Sequence, residues 1–310
     1  MSSIAVGIDV AKDFFLISIN QAKAFEVKNK ESDLLRFIAK LPKNAICHME
    51  ASGGYERKAV SLLRKAQIEV RVHNPLKVKR LAQGLGFSAK TDALDAVMLG
   101  KVGPMLSSTK PKSEERMKLT ELSRTIDSLR DTCTKFKLEI QTLDPQSYAH
   151  RVLKKAIEEN TTIIEEAKAG FLAMLKETAH YTDYKLLLST PGIGPETARI
   201  LICELPEDVK TSKSNSMASY AGLAPLDHSS GKSKGKARIF GGNTKIRTAL
   251  YMPALVVIRT ENWATETYAK HKASGKPHQL IMVAIMRKLL LRAVAVIKRG
   301  TKYEKIKQPT

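Results

Sequence analysis

The sequence predicts an α/β domain followed by a mostly α-helical remainder, and three observations carry that prediction. Short apolar runs rich in β-branched residues crowd the first 75 positions. A heptad-spaced apolar seam fills the middle. The last third holds helix-spaced apolar runs around one Ser/Gly/Lys-rich loop. The expected segments are residues 1–107, 108–180 and 181–310.

In the first segment, IAVGIDV (4–10), FFLISIN (14–20) and KAFEVKN (23–29) read as three strands joined by brief turns, an antiparallel meander. SDLLRFIAKL (32–41) has helical spacing, and NAICHME (44–50) reads as a buried strand. YERKAVSLLRKAQ (55–67) is helical, IEVRVHNP (68–75) is a strand stopped by Pro75, and a further helix begins near Asp92. The order β-β-β-α-β-α-β-α is that of an RNase H-like, or RuvC-like, fold.

In the second segment, Leu119, Leu122, Ile126, Leu129, Cys133, Phe136, Ile140 and Leu143 alternate at spacings of three and four. Pro145 breaks this seam. Leu153, Ile157, Asn160, Ile164, Ala167, Phe171 and Met174 then resume it. Two structures fit: an antiparallel helical hairpin within the chain, or helices of a coiled coil between subunits. A polar Asn160 in the seam would fix its register.

The third segment contains KLLLSTPGIGPETARILICEL (185–205), YAGLAP (220–225), the loop DHSSGKSKGKARIFGGN (227–243) and helices at about 244–260 and 278–298. Its most apolar stretch, Leu280 to Ile297, is interrupted by Arg287, Lys288 and Arg292. It therefore reads as a buried helix rather than a membrane span.

The chain has 310 residues, is 43% hydrophobic and carries a formal charge of +21. The excess is uneven. Residues 218–310 hold 18 Lys/Arg against 4 Asp/Glu, whereas residues 106–217 are balanced. A charge of that size and placement predicts a polyanionic partner, with nucleic acid ahead of a membrane surface. Cys47, Cys133 and Cys203 are scattered and form no C-x-x-C pair. That pattern fits a reducing cytoplasm and no structural zinc. The N-terminus enters a strand at once and lacks the shape of a signal peptide.

Four carboxylates stand where chemistry could use them. Asp9 ends the first strand, and alternation places it with Gly7 on the face opposite Ile4, Val6 and Ile8. Glu50 ends the fourth strand. Asp92 and Asp95 lie three apart at a helix start, hence on one helix face. Four converging carboxylates repel unless a cation neutralises them, and oxygen-only ligands suit Mg²⁺ or Mn²⁺. Asp92 could also serve as a helix N-cap, and Glu50 as a strand-end turn residue.

STPGIGPETA (189–198) carries a helix-hairpin-helix signature, in which Gly192 and Gly194 let backbone N–H groups approach a phosphate. In the following loop and the first turn of the helix after it, Lys232, Lys234, Lys236, Arg238, Lys245 and Arg247 flank Ser229, Ser230 and Ser233. By itself such a loop is most simply a flexible connector.

GIDVAKDFF, the MEASGGY around Glu50, HNP at 73–75 and AKTDALDA around Asp92 and Asp95 resemble the DEDD insertion-sequence transposases of the IS110 family. So do YAGLAP, SSGKSKGKARI, IRTALYMPAL (246–255) and IMRKLLLRAV (285–294). The resemblance extends from residue 4 to about 297 and is shared by DNA invertases of the pilin type. It implies an N-terminal RuvC-like domain and a C-terminal transposase domain. The acidic set Asp9, Glu50, Asp92 and Asp95 would hold metal, and a serine just before a glycine would be the nucleophile. Ser230 occupies that place, with Ser229 and Ser233 as alternative registers, because the stretch up to A-R-I is a residue shorter than in relatives. The resemblance further implies donor and target DNA, a non-coding bridge RNA that chooses them, and a homo-oligomer in which serine and carboxylates could come from different subunits. Two rivals remain: a RuvC-like structure-specific nuclease that uses the acidic set alone, and a non-catalytic architectural DNA-binding protein, which would need no placed carboxylates.

Overall fold

Strands β1 (Ile4–Val10), β2 (Phe14–Ile19), β3 (Phe25–Lys28), β4 (Ala45–Glu50) and β5 (Glu69–His73) form one sheet in the order β3-β2-β1-β4-β5. The first three run antiparallel, as the short turns between them require, whereas β4 and β5 run parallel to β1. A parallel neighbour needs a crossover. The helices α1 (Glu31–Ile38) and α2 (Glu56–Lys65) provide the two. The computed structural model describes residues 3–87, 92–106, 112–225, 229–230, 233–234 and 239–304, with backbone alone at 92–93 and in the two C-terminal two-residue strands.

Alternation decides what each sheet face buries. Val6, Ile8, Phe15 and Ile17 point to one side and pack with Leu34 and Phe37 of α1 and Val60 and Leu63 of α2. The opposite side, which carries Gly7, Ser18 and His48, is covered by α4 (Asp92–Val102). Between β5 and α4 lies α3 (Pro75–Gly84), an element the sequence reading did not anticipate. Its signal was present: the Asn74 side chain accepts a hydrogen bond from the Leu76 N–H at 2.9 Å, and Pro75 occupies the first turn. The proline that stops the strand also starts a helix. Val78 of α3 packs with Leu99 and Val102 of α4.

The chain divides into two compact units, residues 1–112 and 113–310. The second contains α5 (Glu114–Glu139), α6 (Tyr148–Lys176), α7 (His180–Leu188), α8 (Pro195–Glu204), α9 (Ser214–Tyr220), a hairpin of two short strands, β6 (Ser229–Ser230) and β7 (Ser233–Lys234), and then α10 (Thr244–Thr260), α11 (Asn262–Ala273) and α12 (His278–Arg299). Ser113 and Ser147 cap α5 and α6 by accepting hydrogen bonds from the N–H groups of Arg116 and His150.

Helices α5 and α6 pack on each other along part of the heptad seam, whose last position, Met174, stays exposed. Ile126 and Cys133 of α5, and Asn160 and Ile164 of α6, are buried, and the Asn160 amide donates to the Leu129 carbonyl at 3.2 Å. Residues 113–180 of the expected middle segment lie in the second unit. Leu119, Ile126, Phe171 and Leu175 share one core with Leu201, Leu250 and Leu290. The α12 helix is the core of that unit, with Ile285, Leu289, Leu290 and Val294 at most 1% exposed. Its Arg292 guanidinium lies 3.8 Å from the Trp263 ring centroid. No helix among the described residues is long and apolar enough to cross a membrane.

Candidate active site

Strand register brings two of the four carboxylates side by side. Strands β1 and β4 are parallel, with Ile8 opposite Met49. One residue further along each strand stand Asp9 and Glu50, both half-buried and on the face that carries Gly7 and His48. The α4 helix lies on that same face. A methyl group at Gly7 would overlap the Ala96 carbonyl and the Gly100 amide, so the helix backbone rests on the strand itself. Asp95 precedes Ala96 at this contact, and Asp92 begins the helix, with its side chain outside the described residues. Among the described residues, no three His, Cys, Asp or Glu side chains gather into a group able to hold a metal ion. Asp9, Glu50 and Asp95 therefore do not close a ligand cage by themselves.

A histidine pair that the sequence reading passed over lies beneath this edge. His48 of β4 and His73 of β5 are 1% and 3% exposed, with His48 Nδ1 and His73 Nε2 3.0 Å apart and their rings stacked 10° from parallel. Burial, and then neighbouring positive charge, push both down to about 4. Both rings are therefore neutral near pH 7, one donating to the other. The turn after α4 seats on this pair, since a Cβ at Gly103 would come within 2.5 Å of the His48 ring. Glu50 pairs with His73 across β4 and β5. Two histidines on neighbouring strands, each on the face of the acidic residues, were the sequence signal for the pair.

The predicted serine lies in a tight hairpin. Ser230 pairs with Ser233, and Ser229 with Lys234. Lys232, Lys236 and Arg238 lie outside the described residues, and only the backbone of Ser230 and Lys234 is described. The two ends of this segment are pinched together. Gly222 and Gly242 both have φ of +69°, and a Cβ on either would overlap backbone of the opposite chain end. The Arg247 guanidinium donates to the Ala221 carbonyl at 3.1 Å and also to the Gly241 carbonyl. Asn243 donates its backbone N–H to the Tyr220 carbonyl and its side-chain amide to Glu204. Arg247, expected on nucleic acid, is thus a clamp at the neck of the serine hairpin.

The two glycines of the P-G-I-G turn differ. Gly192 has φ of +79°, and a Cβ there would stand 2.8 Å from Val257 and 2.9 Å from the Pro253 carbonyl, so its lack of a side chain admits α10. Gly194 caps α8 and has open space around it. Lys245 pairs with Asp127 at 3.0 Å while its side chain stays 42% exposed. Burial raises the Asp127 pKa, but hydrogen bonds and charge from Arg199 and Lys245 outweigh it and hold the carboxyl below its usual range.

Known proteins point the same way as the motifs. Residues 6–145 match the DEDD transposase model of IS110 elements, and residues 184–269 match the transposase IS116/IS110/IS902 family. The pilin gene-inverting proteins of Moraxella bovis and Moraxella lacunata are each 28% identical over 98% of this chain and 99% of their own. An insertion element IS110 protein of 43.6 kDa from Streptomyces coelicolor is 31% identical over 38% of this chain and 30% of its own. The chain belongs to the IS110 family of DEDD transposases. Its class is that of transposases and DNA invertases, enzymes that cut and rejoin DNA.

Proposed function

We propose that this chain is a site-specific recombinase of a mobile insertion sequence, joining DNA through a covalent phosphoserine link at Ser230. The observation that carries the reading is the alignment of Asp9 with Glu50 at neighbouring strand ends, overlain by the helix of Asp95. An N-terminal RuvC-like fold accounts for that arrangement. The donor set is all carboxylate oxygen and fits a small hard divalent cation, so Asp9, Glu50, Asp92 and Asp95 would hold Mg²⁺ or Mn²⁺. When bound, the ion stabilises charge on the attacking and leaving oxygens of phosphodiester exchange.

The Ser230 hydroxyl attacks phosphorus, and its proton passes through solvent to the deoxyribose oxygen that leaves. A deoxyribose oxygen leaves as the phosphoserine ester forms, and the reverse attack by another strand restores a phosphodiester. Lys232, Lys234, Lys236 and Arg238 neutralise the phosphates around the hairpin, while the P-G-I-G turn at Gly192 and Gly194 holds DNA backbone without reading sequence. Lys245 and Arg247 act at the hairpin base, the first as a half-exposed cation and the second as the neck clamp. A non-coding RNA selects donor and target by pairing, and a homo-oligomer brings two DNA partners together.

Ser230→Ala tests the chemistry. Loss of both the protein–DNA adduct on a denaturing gel and all recombinants is expected. Undiminished DNA cleavage would favour the nuclease reading, and recombination surviving in Ser229→Ala, Ser230→Ala and Ser233→Ala alike would end the serine mechanism.

A further inference from the structure

Two seats hold α4 and the turn after it against the sheet. Gly7 of β1 lies under Ala96 and Gly100, and His48 of β4 lies under Gly103, where an added Cβ would come within 2.5 Å of the ring. Gly7 and His48 stand opposite one another in the parallel β1–β4 pair, so the seats are side by side on one face. One seat would let the helix pivot, whereas two fix its tilt. Asp95 precedes Gly103 by eight residues, about 12 Å at helical rise. A change of tilt at Gly103 is therefore carried to Asp95.

The second seat is polar where an apolar side chain would serve packing alone. His48 is 1% exposed and His73 3%. Their Nδ1 and Nε2 atoms are 3.0 Å apart, and the rings stack with centroids 5.2 Å apart. Burying imidazole nitrogens is costly unless they are paired. The pairing also holds each ring in one rotamer, since a rotamer change would break the bond. His73 is in turn the register partner of Glu50, on the same sheet face. The pair thus links the strands at Glu50 to the helix of Asp95.

We propose that His48 and His73 are positioning residues of the acidic site, whose mutual hydrogen bond sets the tilt of α4 and so brings Asp95 to the divalent cation held by Asp9 and Glu50. Metal ligation tolerates only a few tenths of an ångström. Interchangeable apolar side chains do not hold a helix that closely. Neither histidine is a ligand; both act through the carboxylates, as groups behind a metal's ligands do. This role rests on the metal reading of the four carboxylates and is independent of Ser230.

The test is Mn²⁺ binding by the full-length, metal-free protein, read from the electron paramagnetic resonance of unbound Mn²⁺, with thermal melts in EDTA alongside. Asp9→Asn marks the site and should remove the tightest bound Mn²⁺. His48→Leu/His73→Phe removes both polar groups at once and strands neither. At pH 7 it should melt near wild type yet bind Mn²⁺ about tenfold to hundredfold more weakly. His73→Phe alone should weaken Mn²⁺ to the same degree, and it decides the case if the double variant does not fold. His73→Gln, whose amide nitrogen can stand where Nε2 stands, should keep wild-type affinity. Wild-type affinity in the folded double variant or in His73→Phe would overturn this role while leaving the metal reading intact. So would a His73→Gln protein as weak as His73→Phe, or a loss of bound Mn²⁺ that merely follows the loss of folded protein. Equal Mn²⁺ binding by wild type and Asp9→Asn would overturn the metal reading itself, and the positioning role with it.

Discussion

Gly7 of β1 and Gly100 of α4 meet backbone to backbone, and the contact is asymmetric. A methyl at Gly100 would stand 3.4 Å from the Gly7 nitrogen, an ordinary contact, whereas a methyl at Gly7 would overlap the Gly100 amide and the Ala96 carbonyl. Gly7→Ala is therefore expected to lift α4 from the sheet at a cost of about 1–3 kcal/mol, as overpacking of a tight contact does. Gly100→Ala should be close to neutral. Thermal melts of the two variants check the difference. Because Asp95 precedes Ala96 at this contact, Gly7→Ala should also lose recombination more completely than its melting temperature alone explains.

The neck of the serine hairpin gives a second prediction. Arg247 reaches two carbonyls at once, a fork that lysine's single ammonium cannot reproduce. Arg247→Lys keeps the charge, so DNA affinity should hold, while adduct formation should fall on the order of 10²-fold through misplacement of the hairpin. Gly242→Ala, at a φ of +69° with no room for a Cβ, should do the same and also lower stability. Equal adduct yields from wild type and Arg247→Lys would show that the neck does not position the serine.

The histidine pair predicts how stability follows pH. Both rings are pushed down to about 4 in the folded chain, whereas an unfolded histidine titrates near 6.5. Between those values the unfolded chain binds protons that the folded chain refuses. Stability should therefore fall as pH drops from 6.5 to 4 and level off below, by on the order of a few kcal/mol for the pair. Denaturant titrations at pH 7, 5.5 and 4.5 measure this. His48→Leu/His73→Phe should flatten the profile.

Asn160 is 8% exposed, its amide nitrogen bonded to Leu129 and its Oδ1 without a partner among the described residues. Asn160→Leu removes a stranded acceptor and extends the seam, so the melting temperature should rise. Asn160→Asp should lower it, because a carboxylate there would be buried without a cation. Opposite signs in the two melts are the expected outcome.

Much of the first unit was readable from residue order. Period-two alternation placed Asp9 with Gly7, and strand-end positions singled out Glu50, because both are local properties of a pleated chain. The α3 helix was missed because Pro75 was read only as a stop. His48 and His73 were missed because, although alternation puts both on the acidic face, only the register of β4 and β5 sets them side by side.

The sequence alone determined the five strands of the first sheet, the heptad seam, the basic C-terminal third and the family, since each rests on periodicity, composition or contiguous motifs. Tertiary structure alone decided that the seam's Leu119, Ile126 and Phe171 join the C-terminal core, that Arg247 clamps a neck, and that Gly192 admits α10. Those outcomes turn on close approaches between residues distant in the chain. A seam or a charged side chain is compatible with several partners until packing selects one.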